Sequence, residues 1–204
     1  MKYLAIYSVA TILALSACQG NKNQGTNQAD TSSNQESPIT DSSANVQSTD
    51  STLIVRENFE RINGIKDWDK IDSAQIHEST EGGVATYFFK NNNLELIKVR
   101  NYGEGGYLLQ DMYLKDNKLS FVFEQIYNYN THIIDPKFDM KQTKKAGEAR
   151  YYYLDDKLFN IIATDKENEK YLKEDTRTDS NMRRLFSQLI KVKDNGFNPK
   201  GISE

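Results

Sequence analysis

The sequence predicts an α+β domain: an antiparallel β-meander of about six to seven strands, with one amphipathic helix before the sheet and one after it. Three observations predict this fold. Aromatic and β-branched residues form several short extended segments between residues 83 and 162. Asn, Asp and Gly residues, which favour turns, separate those segments. Apolar residues recur at helical spacing in one segment before the sheet and one after it.

Residues 1–17 have the pattern of a cleavable export signal, because Lys2 precedes an apolar run that is too short to span a bilayer comfortably. Residues 15–18, Leu-Ser-Ala-Cys, resemble the lipobox of bacterial lipoproteins. This resemblance implies cleavage before Cys18, lipidation of its thiol with acyl chains such as palmitate, and acylation of the new amine. Gln19 resembles the sorting residue of proteins sent to the outer membrane of Gram-negative bacteria. The alternative is an ordinary secretory signal that contains a cysteine.

Residues 18–52 predict a disordered tether that begins at the lipidated Cys18. After the cysteine this segment consists almost entirely of Asn, Gln, Ser, Thr, Asp and Gly, so it can bury little apolar surface to offset the entropy of ordering. A chain of this length spans roughly 30 Å on average. The folded domain is therefore predicted to comprise residues 53–204.

The first helix is predicted over residues 53–66, where four apolar residues recur at spacings of three and four. They are Val55, Phe59, Ile62 and Ile65. Residues 67–70, Asp-Trp-Asp-Lys, predict a corner at which Trp68 packs rather than binds a ligand. Residues 71–79 predict an opening strand, paired through Glu-Gly-Gly at 81–83 with the strand that follows.

Three later hairpins share one turn chemistry. Their sequences are Tyr-Phe-Phe-Lys-Asn-Asn-Asn-Leu from residue 87, Met-Tyr-Leu-Lys-Asp-Asn-Lys-Leu from residue 112 and Tyr-Tyr-Leu-Asp-Asp-Lys-Leu from residue 152. Asn and Asp tolerate the left-handed backbone that tight hairpin turns require. The glycine-rich residues 102–106 predict another reversal. Because the copies are irregularly spaced, either a repeat or an ordinary meander explains the likeness.

The C-terminal part contains two connections and the second helix. Residues 128–148 predict a long irregular loop, and loops of that length are usually functional or mobile. Residues 165–175 predict a solvated, charged connection. The helix follows, with Asp179 or Ser180 as its cap and Asn195-Gly196 as its end. We expect both helices to cover one face of an open, curved sheet and to leave its aromatic face less covered.

Composition excludes several classes of function. The formal net charge of -3 provides no basic excess for nucleic acid, so none is predicted as a partner. The single cysteine excludes an intramolecular disulfide and a cysteine metal cluster. We find no common catalytic motif, and we predict no metal, no cofactor and no enzymatic activity. His132 and Asp135 are the one pair that suggests a hydrolase.

Tyrosine is the residue type that stands out, with 12 Tyr beside 9 Phe. Tyrosine provides a large contact area and a polar tip, which suits a recognition surface, although rings on strands also build cores. The candidate binding residues are Tyr113, Tyr127, Tyr129, His132, Tyr151 and Tyr153.

Five short segments resemble a group of uncharacterised bacterial lipoproteins in which a lipobox leader and a polar tether precede a small domain of β-hairpins. They are Asp67-Trp68-Asp69-Lys70-Ile71, Glu81-Gly82-Gly83, Tyr102-Gly103-Glu104, Phe121-Val122-Phe123-Glu124 and Tyr151-Tyr152-Tyr153. The resemblance implies a location and a fold and supplies no catalytic residues.

Our leading hypothesis is a non-enzymatic cell-envelope lipoprotein, anchored in a membrane through Cys18. It binds another macromolecule, an unknown protein or an envelope glycan, through an aromatic sheet face and the loop 128–148. The alternatives are a carrier whose curved sheet encloses a small apolar ligand, and the hydrolase suggested by the histidine and aspartate of the long loop.

Overall fold

The structure, a computed structural model, describes residues 43–77 and 79–200. Its ordered elements are seven strands, three α-helices and one short 3-10 helix. The helices are α1 (Ser43–Gly64), α2 (Lys166–Glu174) and α3 (Arg177–Asp194), and the 3-10 helix is Met140–Gln142. The predicted signal peptide, Cys18 and most of the predicted tether lie outside the described residues.

The strands form one antiparallel meander in chain order, as the sequence predicts. They are β1 (Lys70–Ile76), β2 (Gly83–Lys90), β3 (Asn93–Gly103), β4 (Gly106–Lys115), β5 (Lys118–Asn128), β6 (Lys144–Leu154) and β7 (Lys157–Ala163). The α+β class and the meander are therefore confirmed.

The hairpins β2–β3, β4–β5 and β6–β7 share one geometry. Each turns through two residues in the left-handed region, with φ between 46° and 64°. These residues are Asn91 and Asn92, Asp116 and Asn117, and Asp155 and Asp156. Just beyond each turn the pairing register shifts by one residue, which leaves Glu95, Ser120 or Phe159 as a β-bulge. The likeness of the three sequences thus corresponds to a likeness of structure.

One face of the sheet packs against α3 and the adjoining part of α2. Alternate strand residues point into this core because successive side chains on a strand face opposite sides. Its buried members include Ala85, Tyr87, Ile97, Val99, Met112, Val122, Tyr151, Tyr153, Met182, Leu185, Leu189 and Val192. The hydroxyl of Tyr87 donates to the backbone oxygen of Leu189 at 3.0 Å, which satisfies a fully buried polar group.

The opposite face packs against α1. Val55 and Ile62 of the helix lie in a second buried cluster with Leu96, Tyr113 and Phe121 of the sheet. The expectation that both helices cover one face is therefore wrong. Apolar spacing along a helix shows that one stripe will be buried, but it does not select the sheet face when both faces are apolar.

Helix α1 begins at Ser43, so residues 43–52 are helical where the composition predicts disorder. Once the stripe that contains Val55 is packed, each further helical residue adds a hydrogen bond without a new nucleation cost. The first helix therefore begins before the predicted domain boundary at residue 53.

Helix α2 replaces the solvated connection predicted at residues 165–175. The Asp165 side chain caps it by accepting from the backbone N–H of Asn168 at 2.8 Å. Glu169 accepts from Lys173 at 2.8 Å and from Lys166 at 2.9 Å. A cap and ion pairs at helical spacing thus support a short helix that has little apolar signal.

Helix α3 matches its prediction more closely. It begins at Arg177, slightly before the expected caps, and it ends at Asp194. Gly196 follows with φ of 66°, as expected for the residue after a helix end.

Candidate functional site

The structure separates the candidate tyrosines. Tyr113, Tyr129, Tyr151 and Tyr153 are each at most 8% exposed. Tyr113 belongs to the core beneath α1, whereas Tyr151 and Tyr153 belong to the core beneath α3. The structure therefore does not bring Tyr113 together with Tyr151 and Tyr153, because they occupy strand positions of opposite parity and a different helix covers each face.

Two of these tyrosines have structural hydrogen bonds. The hydroxyl of Tyr113 contacts Asn63 Oδ1 of α1 at 3.2 Å, and the hydroxyl of Tyr151 contacts Glu124 Oε1 at 3.1 Å. Burial raises the pKa of both tyrosines. Both hydroxyls therefore stay protonated at neutral pH and position neighbouring groups.

Tyr127 lies instead on a part of the sheet that α1 leaves uncovered. The contacts of α1 fall on the half of this face nearer the three left-handed turns, at Leu96, Tyr113 and Phe121. The other half, which we call the open sheet face, consists of Lys98, Arg100, Tyr107, Phe123, Gln125, Tyr127 and Arg150. Lys98 is exposed and the other six are half-buried.

Three side chains of the open sheet face form a stack across three adjacent strands. Tyr107 and Tyr127 are directly paired across β4 and β5, and their rings lie parallel with centroids 4.8 Å apart. The guanidinium of Arg100, from β3, lies 4.2 Å from the Tyr107 ring centroid. Ring pairs contribute about 0.5–1.5 kcal/mol beyond their burial, so the stack holds its members in fixed positions.

A second cluster surrounds Phe123. Lys145 and Arg150 lie 5.7 Å and 5.3 Å from its ring centroid, and both donate hydrogen bonds to Glu148. The hydrogen bond from Lys145 lowers the pKa of Glu148. Nearby, Lys98 pairs with Asp111 at 3.0 Å. With Arg100 of the stack, four cations therefore accompany two carboxylates on this part of the face, which gives it a positive excess.

The loop between β5 and β6, residues 129–143, is ordered by its own contacts. The Tyr129 ring packs against Phe138 at 5.1 Å and against Tyr107 of the stack at 6.0 Å. The backbone N–H of Ile133 donates to the Glu104 carbonyl at 2.9 Å. His132 Nε2 lies 2.7 Å from the Glu104 carboxylate. These contacts fix the loop against the β3–β4 turn, beside the open sheet face.

The ordered loop presents aliphatic side chains to solvent. Ile134 is 83% exposed, and Ile133 and Met140 are also exposed. Large apolar side chains that are held rigidly in water are typical of interaction sites when they adjoin other exposed apolar surface. This loop and Tyr127 are the parts of the predicted binding region that the structure brings together.

The side chains of His132 and Asp135, the possible catalytic pair, form hydrogen bonds with other residues and not with each other in the described contacts. Asp135 accepts from the backbone N–H of Lys137 at 2.7 Å and contacts the Thr131 hydroxyl at 3.3 Å, which are contacts of a turn. His132 pairs with Glu104, as described above. These contacts give both residues a role in loop structure.

A groove between α1 and the sheet bears on the carrier hypothesis. It is lined by Val55, Phe59, Phe121 and Tyr152, with Arg56 and Arg150 also on its wall, and its volume is about 210 Å³. Pockets that enclose most of a drug-sized ligand have volumes of about 300–1,000 Å³. The groove therefore gives less support to a carrier than the open sheet face gives to an interaction protein.

The candidate binding residues predicted from the sequence did not include Arg100, Tyr107 or Phe123. Phe123 has the same parity as Tyr127 on one strand, so the strand pattern already places it on the same face. Arg100 and Tyr107 can be placed on this face only when the pairing register of β3, β4 and β5 is known, and that register pairs Tyr107 with Tyr127.

No protein-family model, curated protein sequence or solved structure matches this chain. The class of the protein is therefore described from its fold and its surface alone. Over residues 43–77 and 79–200 it is an α+β fold with a meander of seven strands, one helix on one face, two on the other, and an uncovered aromatic and cationic half-face.

Proposed function

We propose that this chain is a non-enzymatic, lipid-anchored protein of the bacterial cell envelope that binds a protein partner. The binding site is the open sheet face together with the loop 129–143. The Arg100–Tyr107–Tyr127 stack is the observation that carries this proposal. Tyr and Arg dominate the residues that contribute most to protein interfaces, and a stack that is already ordered loses little side-chain entropy on binding.

The chemistry of the surface favours a protein over a glycan. Tyr107 and Tyr127 turn ring faces toward each other, so part of the flat surface on which a sugar would stack is already occupied. Ile133 and Ile134 add aliphatic area, which suits apolar side chains of a partner. The positive excess around Phe123 favours an acidic partner surface.

The proposed anchor rests on the sequence of residues 1–18. Among the described residues, no helix is both long enough and apolar enough to cross a bilayer. Attachment through acyl chains on Cys18, in the outer membrane of a Gram-negative host, would hold the domain at the end of a polar leader. Two or more acyl chains hold a protein firmly, since each buried methylene contributes about 0.8 kcal/mol.

Site-specific photo-crosslinking in producing cells tests the binding site. A photoreactive residue is introduced at Gln125 on the open sheet face or at Ile134 on the loop. The control position is Lys118, which is exposed at the other end of β5. We expect one protease-sensitive product of the same mass from the first two positions and none from the control.

Two tyrosine variants make the crosslinking test specific. Tyr127→Ser removes one ring of the stack, and loss of an interface hot spot of about 2 kcal/mol weakens binding about 30-fold. Tyr171→Ser removes an exposed tyrosine on α2 and serves as the matched control. Equal products from all three positions, or products unaffected by Tyr127→Ser, would refute the site. A product that resists protease but yields to a glycan hydrolase would identify a glycan partner instead.

Metabolic labelling with palmitate tests the anchor independently. We expect the chain to take up label and to fractionate with membranes, and the Cys18→Ser variant to lose both properties. An unlabelled wild-type chain would refute lipidation without bearing on the open sheet face.

A further inference from the structure

A polar cleft lies on the other face of the sheet, between the strands and the helices α2 and α3. Its volume is about 290 Å³. Its polar lining includes Asn101, Gln110, Glu124 and Tyr151 from four adjacent strands. This face carries the α3 core, so the cleft is separate from the Arg100–Tyr107–Tyr127 stack.

Gln110 provides the first sign of a ligand site. Its side chain is buried, with 4% of the residue exposed. The amide nitrogen donates to Glu124 Oε2 at 2.8 Å, which fixes the orientation of the amide. The amide oxygen Oε1 accepts no hydrogen bond from the described residues. Buried acceptors are almost always satisfied in folded proteins, so this oxygen calls for a donor from a bound molecule.

Glu124 provides the second sign. Its two oxygens receive hydrogen bonds from neutral groups, the Gln110 amide and the Tyr151 hydroxyl at 3.1 Å. Burial raises the pKa of its carboxyl, and these two hydrogen bonds only partly oppose that shift. A half-buried carboxylate that accepts only from neutral groups gains most from a ligand that brings a positive charge.

Asn101 adds a third acceptor. Its Oδ1 is buried and accepts no hydrogen bond among the residues that the structure describes. Gln110 pairs directly with Glu124 across β4 and β5, and Asn101 pairs with Leu108 across β3 and β4. Asn101 is therefore a diagonal neighbour of Gln110 on the same face. Gln110 Oε1 and the Glu124 carboxylate thus lie on neighbouring strands in one cleft, with Asn101 one strand further along, and they favour a ligand that carries donors.

The remaining lining is suited to a hydrocarbon chain. It includes Leu108, Leu172, Met182 and Leu185. Within residues 43–77 and 79–200, no group of His, Cys, Asp and Glu side chains has metal-binding geometry. The lining chemistry thus favours an organic cation over a metal ion.

We propose that this cleft binds a primary alkylamine in its ammonium form. The ammonium donates to the Glu124 carboxylate and to Gln110 Oε1, while the alkyl chain lies against the leucine and methionine side chains. This inference is independent of the proposed function, because it concerns a different face of the sheet.

Other charged and titratable groups also face the cleft. Asp175, between α2 and α3, is held by Arg177 at 3.1 Å. The Tyr171 hydroxyl contacts the Asp175 carboxylate at 3.3 Å, and Arg184 of α3 donates to Gln188 at 2.8 Å. Asp175 and Arg184 have opposite charges, so Glu124 determines the preference of the cleft for a cation.

Calorimetric titration of the purified full chain with 1-aminopentane at pH 7.5 tests the proposal. The isosteric neutral probe is 1-pentanol, and the oppositely charged probe is pentanoate. We expect the amine to bind at least ten times more tightly than either. Equal binding of amine and alcohol, or no heat from the amine at 10 mM, would overturn the proposal.

Variants assign the amine binding to the cleft. Glu124→Gln preserves the size of the side chain and one acceptor oxygen but removes the charge, so we expect at least a tenfold loss of affinity. Glu148→Gln, on the opposite face of the sheet, is the matched control and should bind the amine as the wild type does. Amine affinity that survives Glu124→Gln, or that falls equally in both variants, would overturn the assignment.

The pH dependence gives an additional readout. Ammonium binding requires ionised Glu124, so affinity should fall as the pH drops through the raised pKa of Glu124, above the usual glutamate value of 4.5. Tyr151→Phe removes one donor to the carboxylate and should move this fall to higher pH. A profile that is unchanged in Tyr151→Phe would contradict the role of Glu124.

Discussion

Replacing Ile62 with Ala tests whether α1 belongs to the folded domain or to the tether. Ile62 is 0% exposed and packs with Leu96, Tyr113 and Phe121 beneath the helix. The change removes three buried carbon groups, which at about 0.8 kcal/mol each accounts for about 2.4 kcal/mol of transfer free energy. The cavity left behind adds to this loss, and the higher helix propensity of Ala subtracts a few tenths. We expect the free energy of unfolding to fall by about 3 kcal/mol.

The helix cannot easily collapse into the space left by Ile62. The Asn58 amide donates to the Leu114 carbonyl at 3.0 Å, and Arg61 pairs with Glu95 at 2.6 Å. These contacts hold the helix at a fixed height above the sheet, so most of the cavity should remain.

Urea and thermal unfolding, followed by the fluorescence of the single Trp68, measure the effect. Trp68 packs against Phe88 in the same cluster, with ring centroids 5.3 Å apart. A loss of about 3 kcal/mol lowers Tm by about 6–12 °C in a domain of this size. Leu53→Ala is the matched control, since Leu53 lies on the same helix and is 49% exposed. The free energy of unfolding of Leu53→Ala should be less than about 1 kcal/mol below that of the wild type. If both variants unfold like the wild type, α1 is not part of the cooperative unit.

The remaining predictions concern close packing, a buried hydrogen bond and pH. We expect Gly106→Ala to lower the free energy of unfolding in urea by about 1–3 kcal/mol or more, because the new Cβ would lie 2.0 Å from a backbone oxygen of β5. Gly105→Ala places its Cβ in open space, so it should leave the free energy of unfolding nearly unchanged. We expect Asn58→Ala to lower the free energy of unfolding by about 1–3 kcal/mol, since it leaves the buried carbonyl of Leu114 without the Asn58 donor. Glu124→Gln should be more stable than the wild type at pH 7. Because folding raises the pKa of Glu124, proton binding at this carboxyl stabilises the folded state fully at pH values below 4.5, the usual glutamate pKa. This stabilisation is lost as the pH rises through the folded-state pKa. The stability difference between wild type and variant should therefore grow with pH across that window, and a constant difference would contradict this account.

Local chemistry made the strands and turns predictable. Asn91, Asn92, Asp116, Asn117 and the Asp155–Asp156 pair supply the left-handed backbone of their turns, and such turns act over four residues. The strand segments between them alternate or carry apolar residues throughout, and both patterns can be read without tertiary information. Most of the meander follows because short turns join neighbouring strands, whereas the loop 129–143 joins β5 to β6.

Side-chain environments were harder to predict, because they depend on which helix covers which face. Tyr113 and Tyr127 both belong to strands and both looked suitable for binding, yet α1 buries the first and leaves the second half-buried. Helix α2 was not predicted, because its sequence has only a weak apolar pattern and the helix is stabilised by a side-chain cap and ion pairs instead. The cleft around Glu124 was missed because its lining comes from four strands and two helices that are distant in the sequence.

The sequence by itself determined the order of the strands, the turns of the meander and the lipobox pattern at Cys18, because each depends on residues that are adjacent in the chain. Only the tertiary structure decided that α1 and α3 lie on opposite faces, that Arg100, Tyr107 and Tyr127 stack on the uncovered half, and that Gln110 meets Glu124 in a cleft. The physical reason is that burial and side-chain pairing across strands depend on the register and on the helix that covers each face. No local pattern contains that information.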